Sequence, residues 1–177
     1  KITTGVKVSK IQSMKQNTKV FLEKKASEKI VKAEKVLLAV GVTGNINNLG
    51  LDDLGIETEA GAIKTDNFNR TNIENIYAIG DVCGPPWLAH VASAQGHLAA
   101  EHSAGLNVNP IDYSNIPGCT YCQPQVGSLG MTEEQALSSG FKVKIGRFSF
   151  QASGKAMAVG DTVGFVKLIF DEKYGEL

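Results

Sequence analysis

A short apolar run, a glycine–aspartate pair and a helix rich in small residues follow one another between positions 76 and 104. Residues 76–79 (IYAI) have the continuous apolar pattern of a strand that is covered on both faces of an α/β sheet. Gly80 permits a sharp turn, or the close approach of a ligand, at the carboxyl end of this strand, and Asp81 places a carboxylate there. Because ligands bind at that edge of open α/β sheets, the stretch predicts a ligand site.

The helix that follows is expected to supply the second part of the same site. Two consecutive prolines prevent the strand from continuing, and residues 88–104 have a helical pattern with many small side chains. The amide groups of Leu88, Ala89 and His90 are predicted to be free donors at the positive end of the helix dipole, which suits an anionic ligand. A carboxylate and a helix start together fit a flavin nucleotide. The alternative is that Asp81 only caps a turn and the helix start only packs.

These residues carry a resemblance to a known family. The sequence TNIENIYAIGDV, followed by LAH at residues 88–90, resembles the second FAD-contact motif of the flavin-dependent disulfide reductases. LAH and the later YCQPQVGSLGMTEEQA are similar to the dihydrolipoamide dehydrogenase branch, and the resemblance extends over residues 36–174. It implies that Asp81 holds the ribityl chain of FAD, that the Ala89 amide lies against the pyrimidine edge of the flavin, and that Gly41 contacts NAD. Where the family usually has Arg and Pro after that glycine, this chain has Val42 and Gly44.

The order of segments predicts an α/β and α+β fold. Residues 1–33 read as a lysine-rich β-meander with turns near 16–17 and 25–27, and residues 36–40 (VLLAV) read as a buried strand. A small strand is expected near Ile63, and the polar, proline-containing residues 107–117 mark a boundary. Strands are then expected at 120–122 and 126–129, a helix from Thr132 to Gly140, and strands at 141–150 and 164–171, the last with its hairpin partner beyond residue 177.

The resemblance also implies which domain each of these segments belongs to. Residues 1–41 would end an NAD-binding domain, 42–110 would form the central FAD-contacting segment, and 111–177 would begin an α+β dimerisation domain. The chain is therefore interpreted as an internal fragment of a flavoprotein with two dinucleotide-binding domains, containing a β-meander and pieces of parallel sheet. Its first residue is not Met, which also indicates a piece of a longer protein.

The remaining titratable residues are not expected to form a site. Cys119 and Cys122 have the spacing of a redox or zinc pair, but cysteines three apart on an extended chain point to opposite faces, so they are interpreted as structural. The odd total of three cysteines indicates a reducing compartment. The three histidines of the helix are interpreted as structural or solvated, the acidic residues at 52–59 as solvated surface, and no metal site is expected.

Missing motifs limit what the chain can do alone. It has no GxGxxG turn and, by the resemblance, lacks the redox cysteine pair and the catalytic His–Glu pair, so no catalytic residue is assigned and the isolated segment is expected to be inactive. In the complete protein, the resemblance implies oxidation of protein-bound dihydrolipoamide to lipoamide through a redox disulfide and FAD, with reduction of NAD. It also implies a homodimer that works with the lipoyl domains and the acyltransferase core of 2-oxo acid dehydrogenase complexes.

Two other functions stay open at this point. One is a non-catalytic protein-interaction module, and the other is a related flavin-dependent disulfide reductase or NADH oxidase. A formal net charge of zero and the absence of a long apolar run argue against nucleic acid and membranes as partners. By resemblance the compartment would be the bacterial cytoplasm or, for a eukaryotic source, the mitochondrial matrix or a plastid.

Overall fold

The computed structural model describes residues 1–24 and 27–177, which form two compact units, Lys1–Val42 and Thr43–Leu177. The first unit is the predicted meander, a three-stranded antiparallel sheet in the order β1–β2–β3. Its strands are β1 (Lys7–Ser13), β2 (Thr18–Lys24) and β3 (Ser27–Ala33). The β1–β2 turn closes with a hydrogen bond from Met14 N to Asn17 O at 2.8 Å, as predicted. The turn expected around Lys25 and Ala26 lies outside the described residues.

The prediction of a buried strand at residues 36–40 is wrong. No strand includes these residues in the described part of the chain, and the side chains of Leu37 and Val40 are 90% and 86% exposed. A strand is stable only when its N–H and C=O groups are paired with a neighbouring strand. An apolar run without such a neighbour keeps the composition of a strand but not its structure.

The second unit begins with a short helix and a small hairpin. Helix α1 spans Leu51–Leu54, and strands β4 (Thr58–Glu59) and β5 (Ala62–Ile63) pair antiparallel, so the predicted strand near Ile63 is confirmed. The core of this region consists of Ile56, Ile63 and Ala78. It therefore packs the small hairpin against the residues that lead into the Gly-Asp turn.

Residues 76–79 do not form the predicted sheet strand. Tyr77 makes a single antiparallel bridge with Arg70, and the amide of Ala78 donates to the carbonyl of Asn69 at 3.0 Å. The side chain of Asn69, which is 3% exposed, donates back to the carbonyl of Ala78. The run is thus paired with the loop that precedes it, and all strand pairs in the described residues are antiparallel. Neither run that was expected to be a piece of parallel sheet has a sheet partner there.

Asp66 closes the same loop and should make its stability depend on pH. Its carboxylate accepts hydrogen bonds from Phe68 N and Arg70 N at 2.9 Å and from Arg70 Nε at 2.8 Å. Partial burial opposes ionisation, but these hydrogen bonds and the Arg70 charge outweigh it and hold the pKa of Asp66 below its usual range.

We therefore expect Asp66→Asn to destabilise the protein at neutral pH by at most about 1 kcal/mol, because the ion pair is partly exposed to water. A lowered pKa contributes stability that is complete above the unfolded-state value of about 4 and is lost as the pH falls through the folded-state value. The difference in free energy of unfolding between parent and variant should thus shrink below about pH 4 in urea titrations. Asp52→Asn, at an exposed position of α1, is the control. A difference that stays constant with pH would contradict this account.

The rest of the second unit follows the predicted order. Helix α2 spans Ala89–Ser103, the hairpin β6 (Gly118–Thr120) and β7 (Val126–Ser128) comes next, and helix α3 spans Glu133–Ser138. Thr132 and Gln135 form a capping box at the start of α3. Among the described residues, no helix has the length and apolar character needed to cross a membrane.

Two features of the carboxyl-terminal region differ from the prediction. Strand β9 (Phe165–Asp171) pairs antiparallel with β8 (Val143–Ser149), so its hairpin partner precedes it instead of lying beyond residue 177. A further helix, α4 (Gly154–Val159), lies in the long connection between them. Ser153 caps this helix through a hydrogen bond from Ala156 N, which is a local signal that the sequence did contain.

Candidate functional site

The Asp81 turn is a 3₁₀ helix over Gly80–Cys83. Gly80 has φ +76°, the left-handed conformation that favours glycine, and a Cβ there would lie 3.4 Å from the Cβ of Ala92. The backbone carbonyl of Asp81 accepts from Gly84 N at 3.3 Å. Its carboxylate is exposed and accepts no hydrogen bond from any residue that the structure describes. The cap of this turn is the carbonyl, so the carboxylate remains free for a ligand.

The amino terminus of α2 is the second part of the site. Leu88 is its N-cap and has no side chain that could cap the first amides, so Ala89 and His90 present their N–H groups without a side-chain acceptor. The prediction that the Leu88 amide is also free is wrong, because Leu88 N donates to Pro86 O at 3.0 Å. The proline loop folds back on the helix start and uses this donor.

Gln95 joins α2 to the Asp81 turn. Its Oε1 accepts the Gly80 amide at 2.7 Å, and its Nε2 donates to the Tyr113 hydroxyl at 2.8 Å. The side chain is 6% exposed. Our sequence reasoning did not identify this residue, although one signal was available: Gln95 lies four residues after Val91 and three before Leu98, on the buried face of the helix.

Gly44 supports the turn from the other side. A Cβ at this position would lie 3.1 Å from Asp81 O and from Val82 Cα, and 3.3 Å from Gly61 O. Three backbone segments therefore meet where only glycine fits without a shift. The proline that the resemblance expects here would place a Cβ against the same atoms. The turn at Asp81, as it stands in this chain, therefore requires a residue without a side chain at position 44.

The histidines of α2 are all engaged in hydrogen bonds. His90 Nε2 donates to the Pro117 carbonyl at 3.0 Å, and His97 Nδ1 donates to the carbonyl of Ser93 one turn earlier at 3.0 Å. His102 Nδ1 pairs with the Tyr77 hydroxyl at 2.8 Å, and its ring stacks on Phe68 at a centroid distance of 4.8 Å. These contacts agree with a structural role for the imidazoles. They leave the His90 backbone amide available at the helix start.

The cysteines do not join this site. Burial raises the pKa of Cys83 to about 11, so its thiol is neutral at physiological pH. Cys119 and Cys122 are free and exposed, and Cys122 Sγ donates to the Pro124 carbonyl at 2.9 Å. In the described part of the chain, no group of three His, Cys, Asp or Glu residues is arranged to hold a metal ion.

An open cleft lies beside the Asp81 turn and is separate from the site. Its volume is about 470 Å³, and Gly44, Cys83 and Trp87 are among its lining residues. Asp81 and Ala89 do not line it. Gly41 belongs to the first unit, where it is exposed and has φ +108°. Within the second unit, the structure thus brings together Gly80, Asp81 and the start of α2.

Two family models match the chain. The model described as pyridine nucleotide-disulphide oxidoreductase matches residues 1–96, and the model of the dimerisation domain of the same proteins matches residues 116–177. A curated dihydrolipoyl dehydrogenase from Rhizobium etli is 48% identical over 179 residues, which cover the whole of this chain and 37% of the relative. One from Zymomonas mobilis is 54% identical over 142 residues, covering 80% of this chain and 30% of the relative. The chain thus spans about a third of the length of these relatives.

Solved structures of similar fold also match almost the whole of this chain and little more than a third of their own length. LpdA from Mycobacterium tuberculosis superposes with a TM-score of 0.82 at 23% identity, over 96% of this chain and 37% of that chain. RclA from Escherichia coli, described as a HOCl-induced flavoprotein disulfide reductase, superposes with a TM-score of 0.80 at 25% identity, over 94% and 38%. These likenesses confirm the mixed α/β and α+β fold class.

Proposed function

The chain belongs to the pyridine nucleotide-disulphide oxidoreductase family, and from this premise we propose that it is a segment of a dihydrolipoyl dehydrogenase. The identities of 48% and 54% to enzymes of that name support the proposal. In the full-length protein the activity would be oxidation of protein-bound dihydrolipoamide to lipoamide through a redox disulfide and FAD, with reduction of NAD. The segment itself would supply part of the FAD site and of the dimer interface, and no catalytic residue.

The observation that carries this proposal is the free Asp81 carboxylate beside an uncapped helix start. A ribityl chain offers hydroxyl donors, and a free carboxylate is an acceptor for them. The amides of Ala89 and His90, with the positive end of the α2 dipole behind them, suit a ring edge that carries negative charge. Gly80 gives the turn its shape, Leu88 is the N-cap of α2, and Gly41 would contact NAD.

FAD, when bound, supplies the acceptor for electrons from the dithiol and the donor of hydride to NAD. The residues of this chain would bind and orient it. Asp81 holds hydroxyl groups, and the start of α2 favours negative charge by fixed backbone donors that need no reorganisation. The small side chains along α2 allow a flat ring to approach the helix closely.

We further propose the domain limits 1–41, 42–110 and 111–177 for the end of the NAD-binding domain, the central FAD-contacting segment and the start of the dimerisation domain. The change of family model between residues 96 and 116 supports the second limit. The dimerisation-domain match supports a homodimer. The lipoyl domains and acyltransferase core of 2-oxo acid dehydrogenase complexes would be its partners, in the cytoplasm, the mitochondrial matrix or a plastid.

The direct test compares the isolated chain with the full-length protein. We expect the isolated chain to be colourless and inactive, and the full-length protein to be yellow and to reduce NAD with dihydrolipoamide. Absorption spectra and NADH formation measure both. A full-length protein that binds FAD but uses only glutathione disulfide or mercuric ion would overturn the substrate assignment.

A second candidate is a related flavoprotein disulfide reductase, favoured only by the 25% identity to RclA. It predicts a bound flavin without dihydrolipoamide turnover, so the same assay separates the two. The interaction-module alternative predicts instead a stable, colourless dimer of the isolated chain in gel filtration, with no flavin in the full-length protein.

A further inference from the structure

A path of hydrogen bonds runs from the segment before β6 to the Asp81 turn. Tyr113 lies in the 3₁₀ helix Tyr113–Asn115, and its hydroxyl accepts Gln95 Nε2 at 2.8 Å. Gln95 Oε1 in turn accepts the Gly80 amide at 2.7 Å. Both polar atoms of the buried carboxamide are therefore used, so this one side chain links Gly80 to Tyr113.

A second hydrogen bond joins the segment before β6 to α2, close to the start of the helix. His90 Nε2 donates to the carbonyl of Pro117 at 3.0 Å. Residues 113–117 thus contact α2 at two points: beside the Ala89 amide, and at Gln95 more than one turn along. The first contact holds the helix start, and the second links residue 113 to Gly80 through the Gln95 side chain.

The Gly80 amide gives this path its importance. Gly80 begins the turn in a left-handed conformation, and Asp81 is the next residue. If the carboxamide were replaced by an apolar side chain, the partly buried Gly80 N–H would lose its acceptor. The turn would then shift so that this N–H could form a hydrogen bond with water. The orientation of the Asp81 carboxylate would change with it.

We propose that Gln95 is a positioning residue for the flavin site: it fixes the Asp81 turn and, through Tyr113, couples that turn to the segment entering the dimerisation region. This inference rests on the proposed role of Asp81 in holding FAD. Gln95 itself is not assigned a contact with the cofactor. Its effect on FAD binding should therefore require Asp81.

A double-mutant cycle in the full-length protein tests this. FAD is removed, and its dissociation constant is measured by fluorescence for the parent, Gln95→Met, Asp81→Asn and the double variant. We expect Gln95→Met to weaken FAD binding about tenfold, the usual effect of one lost hydrogen bond to a buried donor, but less than about twofold when Asp81 is already Asn. Loss of general stability would instead weaken both backgrounds equally.

Two matched controls and a milder variant complete the design. Gln151→Met and Tyr121→Phe change exposed side chains elsewhere and should leave the dissociation constant unchanged. Tyr113→Phe keeps the aromatic ring and should weaken FAD binding by about threefold, again only when Asp81 is present. If Gln95→Met does not fold, the double-mutant cycle of Tyr113→Phe with Asp81→Asn tests the positioning role by itself.

The outcomes separate the two proposals. If Asp81→Asn leaves FAD binding unchanged, the assigned FAD contact fails. If Asp81→Asn weakens FAD binding but the effects of Gln95→Met and Tyr113→Phe are additive with it, or absent, only the positioning role is overturned.

Discussion

Asp81→Ala in the full-length protein is expected to lower FAD affinity about 100-fold, and Asp81→Asn about tenfold, because hydrogen bonds to a charged acceptor contribute about 1.5–3 kcal/mol. Asparagine keeps one acceptor oxygen but lacks the charge, whereas alanine has neither. The exposed carboxylate has no hydrogen-bond donor among the described residues, so its removal should leave no protein group unpaired. Titration of FAD into the FAD-free variants, followed by the quenching of flavin fluorescence, measures the loss.

The stability of the FAD-free protein is the internal control for this experiment. Because the exposed Asp81 carboxylate accepts no hydrogen bond from the described residues, both variants should unfold at nearly the same urea concentration as the parent when FAD is absent. With FAD present their midpoints should fall, since a weaker ligand stabilises the native state less. Equal FAD affinity in parent and alanine variant would show that the carboxylate has no part in the site.

Helices and hairpin turns were predictable because their signals are local. Thr132 and Gln135 are three residues apart and cap α3 by themselves, and Gly105 ends α2 with φ +78° within one residue of its cap. The strands at 36–40 and 76–79 failed for the opposite reason. A strand depends on a pairing partner that cannot be read from its own composition. Among the described residues, the run at 36–40 has no such partner, and the run at 76–79 pairs with the loop before it.

The local geometry of the candidate site was predictable to the same degree. Asp81 and the Ala89 amide follow from a turn and a helix start, both of which the sequence contains. The residues that hold the turn depend on tertiary contacts: Gln95 meets Gly80 from 15 residues away, and Gly44 meets Asp81 from an earlier loop. The partner of β9 was missed because α4 separates it from β8, whereas the expectation was a short hairpin.

Gly44→Ala is expected to have the largest effect among changes that leave every polar group in place. The new Cβ would lie 3.1 Å from Asp81 O and Val82 Cα, which are backbone atoms and cannot rotate away. The Asp81 turn must therefore shift by a few tenths of an ångström, at a cost of about 1–3 kcal/mol typical of overpacking. Both the free energy of unfolding and the FAD affinity should fall, and Gly44→Val should lower them further.

Gly154→Ala separates this steric effect from the general effect of replacing glycine. Gly154 begins α4, lacks a left-handed φ, and has open space where a Cβ would lie. Alanine there restricts the unfolded chain without a clash and should be neutral or stabilising by up to about 1 kcal/mol. If the Asp81 turn is the structure that Gly44 protects, Gly44→Ala should weaken FAD binding strongly in the parent and only slightly beside Asp81→Asn. Loss of stability with unchanged FAD affinity would mean that the packing around Gly44 supports the fold but not the orientation of Asp81.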